Sequence, residues 1–123
     1  MSSSCQHLGR WGEDVATLRL QATGYSVIER NYRCPAGEMD IVAQQGNQWV
    51  FVEVKTRRGD NYGRPEDAIT PAKAQRLLRV AESYLQEHKL GDVDWRVDVI
   101  AVELDRSGRL LRIDQVENAV TGW

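Results

Sequence analysis

Two apolar segments flank a Gly-Asn pair in the first half of this chain, and they leave few options for its fold. Gly37-Glu38-Met39-Asp40-Ile41-Val42-Ala43 and Val50-Phe51-Val52-Glu53-Val54-Lys55-Thr56-Arg57 are rich in β-branched and aromatic residues. Between them Gln45-Gly46-Asn47-Gln48 carries a two-residue hairpin signal. The expected register sets Gln45 opposite Gln48, so Asp40 faces Glu53 and Glu38 faces Lys55. Opposed residues on antiparallel strands project to one side. Alternation keeps Glu38 with Asp40 and Glu53 with Lys55 on that side. Val50, Val52 and Val54 then point the other way, into a core. A one-residue slip would instead put the acids of the two strands on opposite faces.

Strands of this kind normally carry Val, Ile and Phe. A charge among them costs stability unless it is paired, and a functional site is the usual reason for it. Two carboxylates facing each other repel. A divalent cation would turn that repulsion into binding. The alternative is a cross-strand salt bridge with Lys55, although buried ion pairs are weak stabilisers.

The chain has 123 residues, enough for one domain with a core that needs no staples. No apolar run approaches membrane-spanning length. Met1-Ser2-Ser3-Ser4-Cys5-Gln6-His7 lacks the basic-then-apolar pattern of a secretory signal. Residues 1–8 read as a flexible tail and 9–123 as a single domain. Cys5 and Cys34 have no second Cys or His at metal-binding spacing. They read as free thiols in a reducing compartment, so a cytoplasmic location without membrane association is expected.

Residues 9–22 read as a helix with an apolar stripe of Trp11, Val15, Leu18 and Ala22, stopped by Gly24. Strands follow over 25–33, 38–45 and 48–57, then a Gly/Pro-bearing loop over 58–66. Thr70 caps a second helix with Pro71 at its first position. Leu77, Leu78, Ala81, Tyr84 and Leu85 form its buried face, and it stops near Leu90-Gly91. Residues 95–104 read as a fourth strand, apolar apart from Arg96 and Asp98. Residues 109–116 read as a fifth strand, at the edge. The order αβββαβ(β) suits a central mixed sheet of four to five strands flanked by helices. The third and fourth strands, joined through a helix, are expected to be parallel.

The formal net charge of -2 does not advertise nucleic-acid binding. Its distribution says more. Arg57, Arg58, Arg64, Lys73, Arg76 and Arg79 follow the Glu53/Lys55 strand, and Arg30 and Arg33 precede Asp40. Singly each suits a solvated surface. Grouped around an acidic pocket they suit a phosphate backbone.

Asp40 on one strand and Glu53-Val54-Lys55 on its neighbour resemble the active-site motif of the PD-(D/E)XK, or restriction-endonuclease-like, superfamily. The surroundings strengthen the likeness: Gly9-Arg10-Trp11-Gly12-Glu13, Gly24-Tyr25, Arg30-Asn31-Tyr32-Arg33, Tyr62-Gly63 and Arg96-Val97-Asp98-Val99. Together they resemble the YraN-like family, small bacterial proteins regarded as endonucleases and similar in layout to archaeal Holliday junction resolvases. The likeness runs from Gly9 to about Val102. Met39 stands where the superfamily has proline, a position with no direct chemical task.

The resemblance implies a three-layer restriction-endonuclease-like fold and phosphodiester hydrolysis assisted by Mg²⁺ or Mn²⁺. Asp40, Glu53 and the Val54 carbonyl would be ligands. Lys55 would orient or deprotonate the attacking water, or simply neutralise the acids. Glu13 offers either a further metal contact or a favourable helix-dipole contact. Glu38, Arg57 and Asp98 would support the site from behind, Asp98 otherwise serving in an ion pair with Arg96. Arg30, Arg33, Arg57, Arg58, Arg64, Lys73 and Arg76 would meet DNA, with a solvated helix face the alternative for Lys73. The chain carries no base-reading module such as a helix-turn-helix. Branched, flapped or single-stranded DNA is therefore the expected substrate. Two cuts across a branch need two sites, so a homodimer is expected by analogy, with a partner protein also open. RNA shares the chemistry. The rival reading is a nucleic-acid-binding or partner-recruiting module on a nuclease fold, without catalysis.

Overall fold

The computed structural model describes residues 3–59 and 63–120, with the side chains of 3–7 and 66 outside that description. Helix α1 (Ser3–Ala22) leads into strands β1 (Ser26–Cys34), β2 (Gly37–Gln45) and β3 (Gln48–Arg58). A short 3-10 helix (Pro65–Ala68) precedes helix α2 (Pro71–Glu87), and strands β4 (Asp94–Leu104) and β5 (Leu110–Val120) complete the chain. The five strands form one sheet in sequential order. Neighbours are antiparallel except β3 and β4, which run parallel as expected for strands joined by a helix. Tyr62 and the loop residues just before it lie outside the described residues.

Alternation along the strands sorts the core into two layers. Val42, Phe51 and Val97 face α2, where Ala74, Leu77, Ala81 and Tyr84 meet them. Ile41, Ala43, Val50, Val52, Ile100 and Val102 face α1 across Ala16 and Leu20. Edge-on packing of Phe51 against Tyr84, with ring centroids 5.6 Å apart, fills the α2 side. The result is the expected three-layer arrangement with a mixed five-stranded sheet at its centre. Among the described residues, no helix is long and apolar enough to cross a membrane.

The hairpin forms in the expected register. Gly46 adopts φ 60, and Gln45 to Ile41 pair with Gln48 to Val52. The α2 start is also as expected: the Thr70 hydroxyl accepts the Lys73 N–H at 3.1 Å, with Pro71 in the first turn. Its buried face gains Ala74 and Val80, while Leu78 is only half-buried.

Helix α1 departs from expectation twice. It begins at Ser3, so residues read as a tail continue the helix. The anticipated stripe is not the buried one either. Trp11, Leu18 and Ala22 are exposed, whereas Gly12, Ala16 and Leu20 face the sheet. Gly12 explains the choice. A Cβ there would lie 1.8 Å from the Thr56 hydroxyl oxygen. Small residues at this spacing let the helix approach β3 closely, and close approach outweighs the larger apolar side chains of the other face.

A further departure lies in β4. Glu103 is buried at 1% exposure in a strand read as apolar there. Its carboxylate accepts from Arg57 at 2.6 Å and from Arg112 on β5. The parallel register sets Arg57 beside Glu103, so the buried charge is matched across the strands.

Candidate active site

The ladder between β2 and β3 runs as far as Ile41 and Val52. Beyond it a side chain takes the place of the backbone pair: Asp40 Oδ2 accepts the Val54 N–H at 2.7 Å. The bond satisfies a donor left over where the two strands separate, and it holds the Asp40 carboxylate between them. Two clefts meet at this point. One, of about 360 Å³, is lined on the α2 side by Glu38, Lys73 and Arg76. The other, of about 440 Å³, is lined by Glu13 of α1 and by Val54, Lys55 and Thr56 of β3. Asp40 and Glu53 line both.

Glu53 is buried, and its side chain is 10% exposed. Its Oε2 stands 3.5 Å from Lys55 Nζ and 2.6 Å from Lys73 Nζ. Lys55 follows Glu53 by two residues on the same strand, so alternation delivers it. Lys73 arrives from the first turn of α2, a contact that strand periodicity cannot anticipate. Glu13 reaches the α1-side cleft because Gly12 lets the helix press against β3. It lies 3.6 Å from Arg30, which holds Asp14 at 2.8 Å.

The electrostatics follow from this crowding. Burial, then the nearby Glu53 charge, raises Asp40 from 3.8 to about 7, against the Val54 N–H bond that lowers it. Burial also raises Glu13, against the pull of Arg30. Burial lowers Lys55, helped by its contact with Lys73 and opposed by Glu53. For Lys73 burial acts downward, but the bond to Glu53 outweighs it and the net direction is up.

The remaining sequence candidates separate into two groups. Lys73 and Arg76 join the carboxylates in the α2-side cleft. Others have partners of their own. Glu38 lines the α2-side cleft without Lys55, which lines the other cleft, and it lies 3.6 Å from Arg33 of β1. Arg57 is held by Glu103 at 2.6 Å. Arg58 donates to the Arg106 carbonyl at 2.8 Å, and Arg64 pairs with Asp67 at 3.2 Å. Asp98 is fully buried. It accepts from Arg96 at 2.9 Å, from Gln115 at 2.9 Å and from the Asn118 N–H at 2.9 Å. Arg96 also donates to Tyr25 at 2.7 Å and to Gln48. Both oxygens of Asp98 are occupied within the protein, which makes it a tie between β4, β5 and Tyr25.

Among the described residues, no three acid, His or Cys side chains gather into a ligand cluster. The donor set is the Asp40–Glu53 pair, with Glu13 on the opposite wall of one cleft. Two hard carboxylates suit Mg²⁺ or Mn²⁺, which keep several waters, and do not suit a closed protein cage. A cation between the acids would offset the Glu53 repulsion that, after burial, raises the Asp40 pKa.

The sequence model of the Uncharacterised protein family UPF0102 matches residues 12–102. The chain belongs to this family. A UPF0102 protein of Syntrophotalea carbinolica is 45% identical over 118 residues, covering 94% of each chain. UPF0102 proteins of Caldicellulosiruptor saccharolyticus and Moorella thermoacetica are 43% and 41% identical over 93% and 97% of this chain, and over 97% and 99% of their own. The UPF0102 match takes in Glu13, Glu38, Asp40, Glu53, Lys55, Lys73 and Arg76, the charged residues lining the two clefts.

Proposed function

We propose that this UPF0102 protein is a divalent-metal-dependent endonuclease of the restriction-endonuclease-like superfamily, acting on branched, flapped or single-stranded DNA in the cytoplasm. One observation carries the reading. Asp40 and Glu53 converge where β2 and β3 part, beside Lys55, in a cleft floor that otherwise consists of core strands. The ion pairs of Lys55 and Lys73 both run to Glu53 Oε2, while Asp40 is held by a backbone N–H, so lysine pairing by itself does not account for the second carboxylate.

Asp40 and Glu53 would hold Mg²⁺ or Mn²⁺, with the Val54 carbonyl as a further oxygen. The bound ion supplies polarisation of the phosphoryl oxygen and a lowered pKa for the attacking water. Lys55 orients that water or accepts its proton, and its ammonium offsets charge developing on the phosphoryl oxygens. Burial lowers the Lys55 pKa, the direction that eases proton acceptance. The water oxygen bonds to phosphorus, one phosphoester bond breaks and the leaving sugar oxygen takes up a proton. Arg76 and Lys73 line the α2-side cleft where a neighbouring phosphate would lie. Cutting both strands of a branch requires two such sites, which a homodimer provides.

The test is a labelled panel of four-way junction, flap, single strand, duplex and RNA hairpin, each with Mg²⁺, Mn²⁺ or chelator. Wild type is run beside Glu53→Ala. Metal-dependent cutting lost in the variant supports the nuclease and names its substrate. No cutting, with DNA binding unchanged by the mutation, favours a binding or recruiting module.

A further inference from the structure

We propose that Lys73 is the resident counter-ion of Glu53, that a divalent cation must displace it, and that its release hands a positive charge to the substrate phosphate. The inference rests on the two-carboxylate metal reading above and adds what sets the cation affinity of that site.

Two ammonium groups compete for one oxygen. Lys73 Nζ is 2.6 Å from Glu53 Oε2, and Lys55 Nζ is 3.5 Å from the same atom. The shorter contact belongs to Lys73, at the close end of charge-assisted hydrogen bonds. The two lysines differ in how they are mounted. Lys55 sits two residues from Glu53 on β3, so its backbone lies beside that carboxylate. Lys73 stands on α2, whose start is fixed by the Thr70 cap and by buried Ala74 and Leu77. Its backbone is anchored while its four-carbon stem is free to swing. The side chain is 28% exposed, and it borders the α2-side cleft together with Glu38 and Arg76.

Charge balance gives the direction of change. Asp40 and Glu53 carry two negative charges when ionised, and Lys55 and Lys73 carry two positive ones. A divalent cation held by both carboxylates competes with Lys73 for Glu53, and it repels an ammonium a few ångströms away. With the carboxylates matched by the cation, the lysines are in surplus. A phosphate in the α2-side cleft is the anion that restores neutrality, and Lys73 is the lysine that lines that cleft. Lys73 therefore opposes cation binding and aids substrate binding, a combination that a merely structural ion pair does not produce.

The experiment is Mn²⁺ binding to the full chain at pH 8, by calorimetry and by electron paramagnetic resonance, for wild type, Lys73→Met, Lys73→Arg and Glu53→Gln. Circular dichroism checks that each is folded, and Lys73→Gln stands in for Lys73→Met if the latter is not. Removing one charge-assisted hydrogen bond that competes with the cation corresponds to roughly tenfold or more in a binding constant. The expected result is Mn²⁺ binding tighter by that factor in Lys73→Met, near wild type in Lys73→Arg and lost in Glu53→Gln. Unchanged or weaker binding in Lys73→Met, with wild type and Glu53→Gln behaving as stated, overturns the role of Lys73 and leaves the metal reading standing. Absence of Mn²⁺ binding from both wild type and Lys73→Met overturns both.

Discussion

Replacing Asp40 with asparagine is expected to stabilise this protein while removing its chemistry. The amide oxygen of the Asp40→Asn side chain can still accept the Val54 N–H, so the bond between the parted strands survives. What disappears is an ionised carboxylate facing Glu53. The folded-state pKa of Asp40 is raised from 3.8 to about 7. A raised carboxyl pKa means that the native state holds the proton more tightly than the unfolded chain. Stability is therefore lost as pH climbs from about 4 to about 7 and stays lost above. At about 1.4 kcal/mol per pKa unit, the ionised group costs at most about 4 kcal/mol above pH 7. Glu53 keeps its own charge and its two lysines, so about 2–4 kcal/mol is the expected gain. For a chain of this size that is roughly 10 °C in Tm. Urea and thermal melts with chelator at pH 8 and pH 4.5 read it directly. The variant should melt well above wild type at pH 8, and the gap should shrink to under about 2 kcal/mol at pH 4.5. Added Mg²⁺ should narrow the gap at pH 8 by raising wild type alone. A destabilised variant at pH 8, or a gap independent of pH, would refute the reasoning.

Gly12→Ala places a methyl group 1.8 Å from the Thr56 hydroxyl oxygen and should cost about 1–3 kcal/mol in urea melts, partly recovered by Thr56→Ala. Asp98→Ala strands Arg96 in the interior and should cost about 3–5 kcal/mol, while Mn²⁺ affinity of the folded fraction stays at the wild-type value. Glu103→Ala should cost a similar amount, about 3 kcal/mol, by leaving Arg57 half-buried beside an apolar strand. Lys55→Met should abolish phosphodiester cleavage with melts and DNA binding near wild type, as measured on the substrate that the panel selects.

Local signals carry the hairpin, the α2 cap and the parallel β3–β4 pair, because each rests on short-range chemistry: Gly46 in a left-handed turn, Thr70 on an N–H of the first helical turn, a helix long enough to cross between strands. The Asp40–Glu53 meeting is legible for the same reason, since it falls one position past the last pair that the two-residue turn registers, Ile41 with Val52. Glu38 and Lys55 break that logic, because the ladder ends at Ile41 and Val52 and periodicity does not report where strands part. The buried face of α1 is hidden in the sequence because hydrophobic size points to one stripe where close approach selects another. Gly12 in the middle of a helix is the available clue. Glu103 is legible in principle: the parallel register that pairs β3 with β4 sets it beside Arg57. The reach of Lys73 to Glu53 is not, since it depends on how α2 sits over the sheet and on the course of a long flexible side chain.

A divalent cation held by Asp40 and Glu53 where β2 and β3 diverge would be visible in a crystal. The most direct measurement is anomalous diffraction from crystals grown with Mn²⁺, for wild type and Asp40→Asn. The expected result is a peak between the two carboxylates, completed by waters, that vanishes in the variant. A wild-type map with no peak there at millimolar Mn²⁺, or a peak that persists without the Asp40 charge, would contradict it.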